Sequence, residues 1–203
     1  MNSKSALIII MVIGLFSCQR KLPHRNINDA LRAAYTFQPG SYWVFRDSIS
    51  GHADSLFVTG VHSNNLTDIT GSYTFDLEDI DISTRNLDSL ADSNQWVINL
   101  QESQVAISYD LRGGHKEAIS FPGVTFPFGN ATNSDNTVTT MDSYTTGGFT
   151  FKNVARVNFT SRYVDKSDII YLSPDAGMVK IAFNHFYDSV YRNWQLQKYN
   201  IVK

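Results

Sequence analysis

The sequence predicts an all-β protein, an antiparallel meander that forms a barrel, half-barrel or sandwich and carries one short N-terminal helix. Several segments alternate apolar and polar residues with a period of two, as expected for antiparallel strands with one face in water. Turn-forming residues separate these segments, for example Gly113-Gly114 and the run Ser173 to Gly177. With 203 residues, 42% hydrophobic and 13% aromatic, the chain can build one substantial core and is too apolar for a disordered protein.

Residues 1–17 have the pattern of an export signal. Lys4 supplies a positive charge, and an apolar run extends from Ala6 to Phe16. As a helix, this run would span roughly 16 Å, about half the hydrocarbon core of a bilayer, which is too short to cross it. We therefore predict a cleaved signal peptide over residues 1–17 rather than a transmembrane helix.

The residues that follow, Leu15-Phe16-Ser17-Cys18, resemble a bacterial lipobox. The resemblance implies that Cys18 becomes the first mature residue and that its sulfur carries a diacylglyceryl group, which makes the membrane a partner. Cys18 is also the single cysteine, which excludes a disulfide framework and a multi-thiolate metal site. The alternative is a buried cysteine without a lipid. Two or three acyl chains would anchor the protein stably, because each buried CH₂ contributes about 0.8 kcal/mol.

Residues 18–27 are predicted to be a tether, and residues 28–203 a single β-rich domain. The tether contains Arg20, Lys21 and Arg25, which could lie beside anionic headgroups or form a solvated linker. Gln19 is not the Asp that retains proteobacterial lipoproteins in the inner membrane, and the acidic run of surface-exposed Bacteroidota lipoproteins is replaced by basic residues. By resemblance, these features favour the outer membrane, on its periplasmic face.

Residues 28–35, NDALRAAY, are predicted to form the short helix. Asn28 or Asp29 can cap its N-terminus, since short polar side chains accept hydrogen bonds from the first free amides. Pro39-Gly40 ends the helical region and begins the β-rich body.

The alternating segments predict about nine or ten strands. In the first strand, Trp43 and Phe45 point to one face and are expected to anchor the core. Clear alternation also marks three central segments and a closing strand, at residues 95–101, 105–111, 149–160 and 191–202. Around residues 73–82 the apolar phase changes, which predicts a bulge or turn near Glu78-Asp79.

The segment Phe121 to Gly148 lacks a continuous pattern and is predicted to be a long loop with one strand, Val138 to Tyr144, inside it. Three phenylalanines of this segment could cap an apolar cavity, or they could plug the end of the core; they are Phe121, Phe126 and Phe128.

No pattern predicts a catalytic, metal or cofactor site. The five histidines, at 24, 52, 62, 115 and 185, lack metal-ligand spacing, and no hydrolase, phosphate-binding or dinucleotide motif occurs. The densest acidic cluster could bind calcium or form a solvated strand face, with Asp76 and Glu78 in water; its members are Asp76, Glu78, Asp79 and Asp81. A net charge of −2 argues against nucleic acid as the main partner.

Four Asp-Ser-aliphatic triplets resemble sites that are O-glycosylated on exported Bacteroidota proteins; their serines are Ser48, Ser55, Ser89 and Ser189. The alternative is turn chemistry, because Asp and Ser often terminate strands.

The lipobox, together with the segment Pro39–Ser48 and the segment Ala176–Lys180, resembles outer-membrane lipoproteins of the Bacteroidota. The resemblance implies a location at the outer membrane and a β-rich body, and it assigns no catalytic residue to this sequence. We therefore expect a lipid-anchored envelope protein that acts as a non-enzymatic binding or structural module. One alternative is a periplasmic carrier with a lipophilic molecule in an open barrel. Another is a glycan-acting hydrolase, which would need two carboxylates facing each other across a cleft.

Overall fold

The computed structural model describes residues 24–70, 73–86, 95–110, 118–132, 136–159, 168–184 and 191–203. The predicted signal peptide and Cys18 lie outside these residues. The described chain is mostly antiparallel strand, with a single short helix, so the predicted all-β fold is confirmed. The elements are α1 (Asp29–Tyr35), β1 (Tyr42–Asp47), β2 (Ala53–Thr70), β3 (Tyr73–Asn86), β4 (Gln95–Gln101), β5 (Gln104–Asp110), β6 (Ala118–Thr125), β7 (Ala131–Thr132), β8 (Asn136–Thr146), β9 (Phe149–Phe159), β10 (Asp168–Ser173), β11 (Gly177–Asn184) and β12 (Tyr191–Asn200).

The twelve strands form one sheet in the order β6-β5-β4-β3-β2-β1-β12-β11-β10-β9-β8-β7. Each half of the chain is a simple meander, because neighbours in sequence pair as antiparallel neighbours in space. The two halves join where β12 pairs with β1, from Tyr42 opposite Asn200 to Asp47 opposite Trp194. As a result, β6 and β7 lie at opposite edges of the sheet although they are consecutive in the chain.

This order forces the sheet to curl. A flat sheet of twelve strands would be about 50 Å wide, at about 4.8 Å per strand. The connection from Thr125 of β6 to Ala131 of β7 has six Cα–Cα steps, which reach at most about 22 Å. The two edges must therefore approach each other, and the sheet adopts the observed half-barrel. Of the predicted alternatives, the structure adopts the half-barrel.

The core lies on the concave side of this half-barrel. Trp43 and Phe45 are buried there, as predicted, with 0% and 3% of their surface exposed. The side chains that precede and follow α1 enter the same space, and the most deeply buried of them are Ile27, Leu31, Tyr35 and Phe37. The helix and its flanks therefore fill the concave side.

The predicted helix is confirmed, with Asn28 as its N-cap. The Asn28 Oδ1 atom accepts hydrogen bonds from the backbone amides of Ala30 at 2.8 Å and Leu31 at 3.3 Å. This cap starts a helix of only seven residues, too short to be stable alone, so its stability comes from packing Leu31 and Tyr35 against the sheet.

The predicted bulge near Glu78-Asp79 is wrong. β3 pairs with β2 in continuous register through these residues, and the irregularity lies in β2, between Val58 and Gly60. Ile80 and Ile82 face the core, whereas Leu77 lies on the convex side. The change of apolar phase therefore occurs within one uninterrupted strand.

The long loop predicted over 121–148 is also wrong. β6 extends to Thr125, β7 is a short strand, and β8 covers Asn136–Thr146. The strand predicted over Val138–Tyr144 is confirmed within β8. Threonine and valine in this segment suit a pleated surface, and their β propensity outweighs the many turn-forming residues. The described part of this segment outside strands is residues 126–130 and the turn at Gly147-Gly148.

The turn between β8 and β9 packs directly on β12. Gly147 and Gly148 form this turn with φ angles of +56° and +85°. A Cβ atom on Gly147 would lie 1.7 Å from the carbonyl oxygen of Leu196, whereas a Cβ on Gly148 would meet nothing within 4 Å. The ring of Phe149 next to the turn also contacts Tyr199 of β12, with 5.3 Å between centroids.

We predict that Gly147→Ala destabilises the protein much more than Gly148→Ala. Both changes place alanine at a positive φ, which costs about 1 kcal/mol. Gly147→Ala must in addition displace β12, and we expect at least about 2 kcal/mol more. Urea unfolding of both variants measures the difference. Equal losses would contradict the packing of this turn on β12.

Candidate functional site

The candidate site is the junction at which the predicted tether meets the half-barrel. Cys18, Arg20 and Lys21 lie outside the described residues. The described chain begins at His24, and residues 25–28 are docked on the sheet, although the sequence assigned residues 18–27 to a tether. We call residues 24–28, with the contacts described below, the N-terminal clip.

The N-terminal clip extends the sheet beside β3. Arg25 forms a parallel bridge with Leu77. The Arg25 amide donates to the carbonyl oxygen of Asp76, and the Glu78 amide donates to the carbonyl oxygen of Arg25, both at 2.9 Å. The strand β4 ends at Gln101, which pairs with Asp79, so Arg25 occupies the edge of β3 that β4 leaves open.

An ion pair between α1 and β3 fixes the clip from the concave side. The Arg32 guanidinium donates to both carboxylate oxygens of Glu78, at 2.6 and 2.7 Å. The Ile27 amide donates to the same carboxylate at 3.1 Å. The hydrogen bond from Arg32 lowers the pKa of Glu78, against the opposing effect of burial, and the Ile27 amide lowers it further. The expectation that Glu78 lies in water is therefore wrong, because α1 supplies a cation on the concave face.

A second pair fixes the clip at the turn between β4 and β5. Arg25 donates to Glu102 at 2.6 Å, and both side chains are more than two-fifths exposed. The carbonyl oxygen of Glu102 accepts the Asn28 amide at 2.5 Å. Glu102 has a φ of +45°, a conformation that favours glycine. The glutamate at this position is therefore connected to the clip through both its side chain and its backbone.

A shallow cleft of about 360 Å³ lies between the clip and this turn; it is lined by Arg25, Asn26, Asn28, Glu102 and Ser103. Its lining residues are all polar or charged, and its cation and anion pair with each other. The cleft lies at the solvent-facing side of the junction, and it contains the side-chain amides of Asn26 and Asn28 and the carboxylate of Glu102.

The acidic cluster is split between the two faces of β3. Glu78 points to the concave side, whereas Asp79 and Asp81 point to the convex side. Asp79 is 3% exposed and accepts hydrogen bonds from Asn99 at 2.5 Å and Gln101 at 2.9 Å. Within the described residues, no three His, Cys, Asp or Glu side chains come together as a possible metal site. Hydrogen bonds from amide side chains on β4 therefore stabilise the Asp79 carboxylate without a bound cation.

Of the four Asp-Ser-aliphatic triplets, two lie in the described residues. Ser48 is exposed in the turn after β1, and its hydroxyl accepts a hydrogen bond from Asn193 at 2.7 Å. The preceding Asp47 is fully buried; burial alone would raise its pKa, but hydrogen bonds from Ser50, Asn193 and Ile49 lower it. Ser55 lies within β2. The serines at positions 89 and 189 are outside the described residues, and glycosylation stays a prediction.

Aromatic rings close the clip end of the half-barrel. Phe126 and Phe128 contact the ring of Tyr35 edge to face, with centroid distances of 5.8 and 6.1 Å. Tyr35 also contacts Phe37, which packs on Trp43. The side chain of Phe121 lies outside the described part. Phe126 and Phe128 pack against the core, as expected if they plug its end.

No family model, curated protein or solved structure matches this chain. No helix in the described residues is long and apolar enough to cross a bilayer.

We predict that Glu78→Gln lowers the free energy of unfolding by about 1–2 kcal/mol at pH 7, because it removes the charge of a carboxylate whose two oxygens accept hydrogen bonds from one nitrogen of Arg32. The pKa of Glu78 is lower in the folded protein than in the unfolded chain, where a glutamate titrates near about 4.3. The stabilisation is therefore complete above that pH and is lost as the pH falls through the folded pKa. Urea unfolding between pH 3 and pH 7 measures it.

The matched control is Glu102→Gln, which removes the exposed pair with Arg25. We expect a loss below about 1 kcal/mol, since exposed ion pairs contribute little. Equal losses for the two variants, or a Glu78→Gln loss that stays constant down to pH 3, would contradict the role given to Glu78.

Proposed function

We propose that the protein is a lipid-anchored envelope protein, held at the periplasmic face of the outer membrane by acyl chains on Cys18, and that its half-barrel is a non-enzymatic binding or structural module. The observation that carries this proposal is the position of the lone cysteine, seven residues before Arg25, in a lipobox-like sequence. Arg25 is hydrogen-bonded into the sheet. A force on the anchor would therefore be transmitted to the fold through β3 and α1.

The non-enzymatic part of the proposal is supported by the hydrogen bonds of two buried carboxylates, Asp47 and Asp79. Asp47 accepts hydrogen bonds from Ser50 and Asn193, and Asp79 accepts them from Asn99 and Gln101. These groups stabilise a turn and a strand pair. A glycan hydrolase would require two carboxylates that face each other across a cleft, and Asp47 and Asp79 have structural partners instead.

The packing of the concave side favours a module over a carrier. A lipophilic ligand inside the half-barrel would need the volume that α1 and its flanks occupy, where Leu31 and Phe37 have no exposed surface. The hydroxyl of Tyr35 is buried there and has no hydrogen-bond partner within the described residues. Burial and, less strongly, the charge of Asp175 raise its pKa. A polar ligand head could use this hydroxyl only if the surrounding rings moved.

We predict that cells supplied with an alkyne fatty acid label the wild-type protein and leave Cys18→Ala unlabelled, because the thiol is the only atom that can form the thioether. Click detection on immunoprecipitated protein measures the label. The variant should keep the β-sheet circular dichroism of the wild type, since residue 18 precedes the described fold. Equal labelling of both proteins would refute the anchor.

We further predict that the protein purified from membranes carries no stoichiometric lipophilic molecule besides its own acyl chains, because its own side chains fill the concave side. Native mass spectrometry compares the intact mass before and after denaturation. A non-covalent lipid released at one per chain would support the carrier and overturn the packed-module interpretation.

A further inference from the structure

The β2–β3 hairpin extends beyond its neighbouring strands. The pairing of β1 with β2 ends at Phe57, and the pairing of β4 with β3 ends at Asp79. We call the part beyond these points, residues 59–70 and 73–78, the β2–β3 arm. The N-terminal clip binds this arm through Arg25, so the arm is the part of the sheet nearest to the tether.

A row of three residues crosses the convex face of the arm. Leu66 pairs with Leu77 across β2 and β3, and Leu77 pairs with Arg25. Residues directly opposite each other in a ladder share a face. The neighbours of Leu77 toward the core, Ile80 and Ile82, point to the concave side, so this row points outward. Its outer member, Leu66, is 41% exposed.

A single exposed leucine is ordinary on a protein surface. Leu66 differs from an ordinary surface leucine because its row ends in Arg25, at the point where the tether joins the fold. Arginine can lay its alkyl stem on apolar material and keep its charge in the headgroup layer. The row therefore combines two leucines with an arginine whose guanidinium is paired with the exposed Glu102. Such a mixture of apolar and polar groups suits the boundary between acyl chains and headgroups.

The length of the tether limits which surface can face the bilayer. Seven Cα–Cα steps separate Cys18 from Arg25, and they reach at most about 25 Å. Along β2, the thirteen Cα–Cα steps from Ala53 to Leu66 cover a path of about 43 Å. The turn that contains Ile49 lies beyond Ala53, at the other end of that strand. The arm is therefore within reach of the anchored bilayer, and the opposite end of β2 is farther away.

We propose that the convex face of the β2–β3 arm, at Leu66, Leu77 and Arg25, rests on the surface of the bilayer that holds the acyl chains of Cys18. This inference depends on the proposed lipid anchor and adds an orientation to it. The contact would keep the arm at the headgroup layer and direct the turn at Ile49 away from the membrane, toward partners in the aqueous space.

The test uses the full, lipidated chain with one engineered thiol. Cys18 is blocked by its thioether, so Leu66→Cys carries a single reactive sulfur for an environment-sensitive fluorophore. Ile49→Cys is the matched control, because Ile49 is a 61% exposed apolar residue at the other end of β2. Each labelled protein is reconstituted into phosphatidylethanolamine–phosphatidylglycerol vesicles with and without doxyl-labelled lipid, and flotation shows whether it is bound.

We expect the probe at residue 66 to emit at shorter wavelength in vesicles and to lose fluorescence to doxyl lipid, while the probe at residue 49 changes in neither respect. Vesicles that float with the protein but leave both probes in water would overturn the orientation and preserve the anchor. A blue-shifted probe at 66 that doxyl lipid does not quench would indicate a protein contact and would also overturn it. Failure of the lipidated protein to float would refute the anchor itself.

Discussion

The short connection between the two edge strands is the constraint on which the rest of the structure depends. β6 and β7 end a sheet of twelve strands at opposite edges, yet five residues join them. The sheet must curl to satisfy this connection, and a curled sheet has a concave side that must be filled. The chain fills it with α1 and with the rings of Tyr35 and Phe37, and Phe126 and Phe128 of the connection itself contact the Tyr35 ring.

Filling the concave side from the N-terminus determines where the tether leaves the body. For Leu31 and Tyr35 to reach the core, the residues before α1 must cross the rim beside β3. There the Glu78 carboxylate accepts hydrogen bonds from Arg32 and Ile27, and Arg25 joins the sheet. The same segment therefore completes the core and connects the body to the proposed anchor.

Much of the fold could be predicted from the sequence because it depends on local patterns. The alternation around Trp43 and Phe45, the cap at Asn28 and the closing strand at Leu196 were all predictable. The turn that ends at Gly177, with a φ of +70°, was also predictable from the turn-forming run Ser173 to Gly177. Of the strands between residues 121 and 148, the segment Val138–Tyr144 of β8 was predicted, whereas the end of β6 and the short β7 were missed, because prolines and small polar residues obscure their pattern.

The candidate site could be predicted only in part. The cysteine and the basic residues are visible in the sequence, but the docking of residues 25–28 is not, because Arg32 lies 46 residues from Glu78 and Arg25 lies 77 residues from Glu102. Contacts of such separation leave no local periodicity. The positive φ of Glu102 carries no sequence signal either, since glycine would be expected at that turn.

The central claim is that the residues after the anchor belong to the fold. Hydrogen exchange of the lipidated protein in vesicles tests it most directly at the amides of Arg25, Asn28 and Glu78, which donate to backbone carbonyls across the junction. The account predicts that these amides are protected to the same degree as those of β4, a strand that is paired on both sides. Exchange at the rate of an unstructured peptide would show that the clip is a free linker and would contradict the account.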